Sequence, residues 1–317
     1  MLLSVVVTIV DAGDALMRCL DALTAQRGAP PLEVLVAYDD SVPGMRAFVD
    51  RFPAFQFLDL GALQTAELLS DPAGQHELFD RRRAAGLSRA RGDLVAILED
   101  RGVPRPNWAA EATRLHAERP GLVIGGAIEN GCDRLLNWAV YFCDFGRYQR
   151  PFQAGPRQYV SDVNVVYKRA ALDLTRALWQ TRYHEPVVHG ALQRAGEALM
   201  LSPDFVVDQF RGRLRLSSVL RERIAWGRLF ASLRVRDERL RTRLGFMAIS
   251  PLLPVLLFVR LARMQLEKRV SLSRFVSAAP VVALLLVGWC TGEFLGYLTG
   301  AAVRAKSDAL PRHASGG

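Results

Sequence analysis

Two apolar stretches near the C-terminus set the strongest limit on what this chain can fold into. Residues 246–262 carry no charge except Arg260, and residues 275–303 none except Glu293. A helix crossing the hydrocarbon core needs about 20 mostly apolar residues. The second stretch meets that length and the first is marginal. Everything before them has the pattern of an ordinary α/β domain. The expected architecture is therefore a cytoplasmic domain held at a membrane by its C-terminal part. At 317 residues the chain has room for one large domain and an appendage. A hydrophobic fraction of 50% is too low for a polytopic transporter.

The net charge is +9, and its location matters more than its size. Residues 211–243 hold eleven arginines, opposed only by Glu222, Asp237 and Glu238. A basic segment just before an apolar span marks the cytoplasmic side and is drawn to anionic lipid. Such a run also suits nucleic acid. Here it adjoins a span and no zinc, helix-turn-helix or RNA-binding signature accompanies it, so membrane lipid is the expected partner and nucleic acid is not. Cys19, Cys132, Cys143 and Cys290 are scattered and form no CxxC pair, which excludes a disulfide framework or a structural zinc pattern. Leu2 to Val10 is apolar but lacks a basic leader and a small-residue cleavage site, and Asp11 ends it early, so it is a buried strand rather than a signal peptide.

Strand and helix patterns alternate. Leu3–Val10, Leu32–Tyr38, Phe55–Leu60 and Asp93–Leu98 predict strands. Asp14–Ala25, with Leu16, Cys19, Leu20 and Leu23 at helical spacing, and Phe79–Ala90 predict helices. Such alternation argues for a mostly parallel sheet with helices on both faces. These sheets bind ligands at the carboxyl ends of their strands. Acidic residues stand at two such ends: Asp39-Asp40-Ser41 after the second strand and Glu99-Asp100-Arg101 after the fourth. Each could also be plain turn or N-cap chemistry. Two acidic strand ends in one α/β chain favour a site.

The order of these features resembles the family-two glycosyltransferases, with the nucleotide-sugar-binding GT-A fold. The resemblance rests most on Gly86-Leu-Ser-Arg-Ala-Arg-Gly-Asp-Leu-Val-Ala-Ile-Leu-Glu-Asp-Arg-Gly-Val-Pro-Arg-Pro-Asn-Trp108. Val123–Asn130 is similar to the next strand of that fold, and Val163-Asn-Val-Val-Tyr-Lys-Arg169 to the stretch near the acceptor. The resemblance covers about residues 3–210. It implies a glycosyltransferase-like domain over 1–210, a basic juxtamembrane helical region over 211–243 and a membrane-associated region over 244–317.

The resemblance also implies roles. Glu185 matches the catalytic base, Asp39 or Asp40 would hydrogen-bond the nucleoside, and Asn164 lies on the acceptor side. Glu99 and Asp100 would hold Mg²⁺ or Mn²⁺, which suit oxygen ligands. The metal motif is degenerate, because its usual last Asp is Arg101, which stays protonated and cannot ligate a cation. Arg101 could instead lie against the donor diphosphate as a fixed positive charge. Glu185 could equally be a helix-start glutamate, and Asn164 a core hydrogen bonder. His184 and His189 flank Glu185 and are taken as structural rather than as ligands. No Gln-x-x-Arg-Trp motif follows the domain, which argues against a processive enzyme. Two readings stand: an inverting transferase moving a sugar from a nucleotide-diphosphate donor to an envelope or lipid-linked glycan acceptor, or a silent domain binding a nucleotide or partner enzyme at the membrane.

The tail carries its own expectation. The segment 263–274 holds Arg263, Lys268, Arg269 and Arg274 against Glu267, and Pro251 and Pro254 interrupt the first apolar stretch. A two-span hairpin would leave that basic loop outside, against the positive-inside tendency. Residues 246–262 are thus expected to be re-entrant or interfacial, and 275–303 to be one full span or a second element kinked at Pro280. The catalytic domain, with Arg304, Lys306 and Arg312, would face the cytoplasm at the inner cell membrane.

Overall fold

The computed structural model describes residues 1–66, 68–69, 72–235 and 239–299. Asp237 and Glu238 of the basic segment, the end of the second apolar stretch, Arg304, Lys306 and Arg312 lie outside the described residues. The first half runs β1 (Leu3–Thr8), α1 (Asp14–Thr24), β2 (Leu32–Tyr38), α2 (Met45–Arg51), β3 (Gln56–Asp59), α3 (Pro72–Arg89), β4 (Leu94–Glu99), β5 (Gly102–Pro104) and α4 (Trp108–Glu118). There follow β6 (Val123–Asn130), α5 (Leu135–Asp144), β7 (Gly155–Arg157), β8 (Asn164–Lys168), α6 (Arg169–Leu174), α7 (Arg176–Trp179), α8 (Glu185–Arg194) and β9 (Leu199–Gln209). The tail is α9 (Leu216–Arg234), α10 (Leu240–Ile249), α11 (Leu253–Lys268) and α12 (Leu272–Thr299).

The strands form one sheet in the order β3-β2-β1-β4-β8-β6-β9-β5, with β7 also on β9. β3, β2, β1 and β4 are mutually parallel. β8 enters antiparallel between β4 and β6, and β6 then pairs parallel with β9. The sheet is mostly parallel, as the alternation predicts. All six residues of β1 are buried, as expected of a strand covered on both faces. Each of its three valines contributes about 1.5–3 kcal/mol by leaving water. Because β2 and β4 both flank β1, the two acidic strand ends come to lie on either side of its C-terminus.

The tail packs on this domain instead of hanging from it. α12 lies along α9 and against α5, and Phe275, Val282 and Leu285 join the main core. α9 and α12 approach closely through glycines: a Cβ on Gly227 would overlap the Trp289 carbonyl, and one on Gly292 the Ile224 carbonyl. Arg223 of α9 donates to Asp144 at the end of α5 at 2.6 Å, and Arg211 stands 3.4 Å from the same carboxylate. The basic segment is thus partly a packed element.

Residues 240–268 form one 29-residue helical run with a 3₁₀ turn at Ser250–Leu252. The helical run thus extends beyond the apolar stretch 246–262 at both ends. Pro251 falls in that turn and Pro254 in the first turn of α11, where a missing N–H leaves no intrahelical bond unmade. Residues 269–271 turn the chain into α12, with Arg269 left-handed. Both helices are long and apolar enough to cross a membrane, but α12 is far more buried (44% against 6% in the most apolar windows).

Candidate active site

The acidic end of β2 is closed. Asp39 is 3% exposed. Arg82, from the middle of α3, donates to its Oδ2 at 2.7 Å, to the Ile9 carbonyl at 2.8 Å and to Ser41 Oγ at 2.8 Å. The Ser41 amide donates to Asp39 Oδ1 at 2.9 Å. Burial raises the Asp39 pKa, but the hydrogen bonds from Arg82 and Ser41 outweigh it and hold the carboxyl below its ordinary value. Both oxygens are already used. Asp40 beside it is exposed. The two border a depression walled by Val42, Pro43 and Gly44, apart from the main cavity.

The acidic end of β4 is open. Glu99 and Arg101 line a cavity of about 680 Å³, whereas Asp100 does not. Successive side chains at a strand end alternate in direction, so residue 100 turns the other way. Its Oδ2 accepts from the Val10 amide at 2.7 Å and the Asp11 amide at 3.4 Å, fixing the chain after β1. Burial pushes its pKa up to about 7, and its buried Oδ1 has no hydrogen-bond partner. The structure therefore does not bring Glu99 and Asp100 together at the cavity. What faces the cavity is Glu99 with a guanidinium in place of a second carboxylate, and the Arg83 guanidinium only 3.7 Å away. A single carboxylate at the motif, with Arg101 in its last place, does not supply the several oxygen ligands a divalent ion of this class needs. A different group, His76, Asp80 and His184, does bring three potential ligand atoms within 4.8 Å of one another.

Arg83 organises the open end. Its side chain is 5% exposed and pairs with Asp162 at 2.8 Å, with Asp80 at 3.5 Å and with Glu99. Its Nε donates to Thr8 Oγ1 at 3.1 Å. Glu185 stands behind Asp162. Its Oε2 accepts from the Asp162 amide at 3.0 Å, and its Oε1 lies 3.6 Å from His189 Nδ1. His189 Nε2 in turn lies 2.6 Å from Tyr167 Oη, which is 2.5 Å from Tyr183 Oη. Glu185 opens α8, and the adjoining Pro186 presets the first turn. The pKa values of Glu185 and Glu99 are both raised, first by burial and then by the Asp162 charge. Asp162, Ser161 and Val163 line the cavity, while Glu185 does not, although its side chain is 22% exposed.

Asn164 is fully buried. Its Oδ1 accepts from Trp108 Nε1 at 2.8 Å, and its Nδ2 donates to the Ala127 carbonyl at 2.9 Å. Its polar atoms join β8 to α4 and β6, the core hydrogen-bonding arrangement that the sequence also allows. Arg83 and Arg82 carry no motif in the sequence. The signal that could have found them is a run of three arginines on a helix otherwise facing the sheet.

The far wall of the cavity belongs to the tail: Trp226 of α9, Leu257 and Leu261 of α11, and Leu285 and Trp289 of α12. Arg147 and Arg260 also line it and have no ion-pair partner among the described residues. One chamber thus joins ionisable groups at the sheet edge to an apolar wall of tail helices.

Residues 4–175 match the profile of glycosyl transferase family 2. A solved structure of S. aureus TarS residues 1–349 is similar at 13% identity and a TM-score of 0.44, covering 75% of this chain and 67% of that one. A longer S. aureus TarS structure is similar at 14% identity and a TM-score of 0.43, with 75% of this chain and 40% of that one covered. No curated protein matches the chain.

Proposed function

The chain belongs to glycosyl transferase family 2, and on that premise we propose that it is a membrane-associated, inverting, non-processive enzyme that moves a sugar from a nucleotide-diphosphate donor to a lipid-linked envelope acceptor. The observation that carries this reading is the shared chamber, with Glu99, Arg101 and Asp162 at one end and the α11 and α12 side chains at the other. An amphiphilic acceptor needs both surfaces at once. Membrane lipid is a partner through the outward apolar face of the α10–α11 run. The catalytic domain sits on the cytoplasmic face of the inner membrane, with the basic residues of the tail on the same side.

Departure of the nucleotide diphosphate builds negative charge, which the cation at Arg101 offsets in a partly dry chamber. The incoming hydroxyl loses its proton to Glu185, whose raised pKa brings it nearer to working pH. Arg83 holds Asp162 in front of that base. Asp39 and Asp40 flank the nucleoside side, Asp39 as support and Asp40 as the exposed hydrogen-bonding group. A second reading, a silent domain that binds a nucleotide or a partner enzyme, is favoured by Arg101 in the motif and by the absence of Glu185 from the cavity lining among the described residues.

Glu185→Gln discriminates between the two. It should keep nucleotide-sugar binding and lower transfer by about 10²- to 10⁴-fold. Full turnover in that variant removes Glu185 from the base role. A wild-type protein that binds nucleotide yet transfers none of a panel of sugars establishes the silent reading.

A further inference from the structure

We infer that His76, Asp80 and His184 form a binding site for a first-row divalent transition metal, separate from the strand-end motif. His76 and Asp80 are one helical turn apart on α3, so they share a face. His184 immediately precedes Glu185 and caps α8. His76 Nδ1 lies 3.3 Å and His184 Nδ1 3.6 Å from the same atom, Asp80 Oδ2. Both contacts are longer than the N–H···O distances of about 2.7–3.2 Å usual for a hydrogen bond. Metal–ligand bonds of about 2.0–2.1 Å in a tetrahedron place neighbouring ligand atoms about 3.3 Å apart. The two spacings to Asp80 Oδ2 are close to that value, and all three ligand atoms lie within 4.8 Å of one another.

The charges around the group are consistent with this. Asp80 is 1% exposed. Arg83 stands 3.5 Å from its other oxygen, Oδ1, which has no hydrogen-bond partner. That cation orients the carboxylate and leaves Oδ2 to the imidazoles. Arg182 approaches Oδ2 at 4.0 Å, but its side chain is 46% exposed and free to swing into solvent. Two imidazoles and one carboxylate favour Zn²⁺, Co²⁺ or Fe²⁺ over Mg²⁺. Three protein ligands leave coordination positions for water. The His76 ring also lines the main cavity and packs edge-on against Trp226 of α9, centroids 5.5 Å apart. A bound ion therefore ties α3, the start of α8 and the tail helix together beside the carboxylates that Arg83 gathers.

The test uses the full chain in detergent, stripped of metal with EDTA and titrated calorimetrically with Zn²⁺. One Zn²⁺ per chain is expected. His76→Ala and His184→Ala, both at partly exposed positions, should each weaken it by about 100-fold or more, and Glu99→Gln should leave it unchanged. Co²⁺ should give a tetrahedral visible spectrum that His184→Ala abolishes. Absence of stoichiometric binding, binding that survives both histidine substitutions, or binding lost only in Glu99→Gln overturns the site. None of these readouts depends on transfer activity.

Discussion

The two acidic strand ends on either side of β1 look alike in sequence and differ in the fold. After β2, Asp39 is locked by Arg82 and sealed from solvent. After β4, Glu99 and Arg101 open into the cavity and no hydrogen bond uses the Arg101 side chain among the described residues. Both cations that decide this, Arg82 and Arg83, come from one turn of α3. The first takes one oxygen of its carboxylate while the Ser41 amide takes the other, so both are used. The second is shared among three and satisfies none completely. An acidic strand end stays open to the cavity where its counter-charge is divided, and becomes a structural pin where it is not.

The largest effect should come from breaking the closed end. Arg82→Met leaves Asp39 buried and unpaired, which costs about 3–5 kcal/mol; Glu99→Gln at the open end should cost under about 1 kcal/mol. Chemical denaturation of both variants checks the contrast, and equal losses would erase it. The sign with pH follows from the lowered Asp39 pKa. Its stabilisation is full above the ordinary value of 3.8 and is lost as pH falls through the lower folded value, so Arg82→Met should abolish that acid dependence. Next in size is Arg101→Ala. On the role proposed for Arg101 against the donor diphosphate, its loss should lower turnover by about 10²- to 10³-fold with little change in stability, measured by kcat at saturating donor.

A smaller effect sharpens the picture of shared charge. Removing the Asp162 charge lowers the Glu185 pKa, so Asp162→Asn should move the acid limb of the kcat/KM profile to lower pH. An unmoved limb would show that the two carboxylates are not coupled. The smallest effect is expected at Asp100. Its folded pKa of about 7 lies above the ordinary 3.8, so its protonated form favours folding, and that contribution fades as pH rises between the two values. Asp100→Asn should flatten this slope and leave donor affinity within about twofold. A large loss of donor binding would return Asp100 to the site.

Much of the fold was legible in sequence because it rests on local periodicity. β2 matches its apolar run residue for residue, β1 and β4 fall within two residues of theirs, and α1 ends one residue early. α3 begins at Pro72, seven residues before the predicted Phe79, because its first turns, with Gln75, His76 and Glu77, show no apolar stripe. β5 and β7 span three residues each, too few for any pattern. The site was legible only as a list. Glu99, Arg101 and Glu185 come to one region, whereas Asp39, Asp100 and Asn164 turn out to be held by the scaffold. Those outcomes depend on partners 43 residues away at Arg82, on the pleat at Asp100 and on Trp108, 56 residues from Asn164. No local pattern encodes them.

The glycines of α9 and α12 have a mechanical consequence. With Gly227 against Trp289 and Gly292 against Ile224, the two backbones touch, and no side chain lies between them to act as a bearing. The tail is a strut, not a leash. A leashed domain would sweep a volume above the bilayer and meet hydroxyls at many heights. A domain on a strut reaches one height only. Under the membrane-bound reading proposed above, acceptor choice would then be partly a measurement of length: a lipid whose sugar-accepting hydroxyl stood a few ångströms too far from its apolar anchor would be out of range, however well its head group fitted.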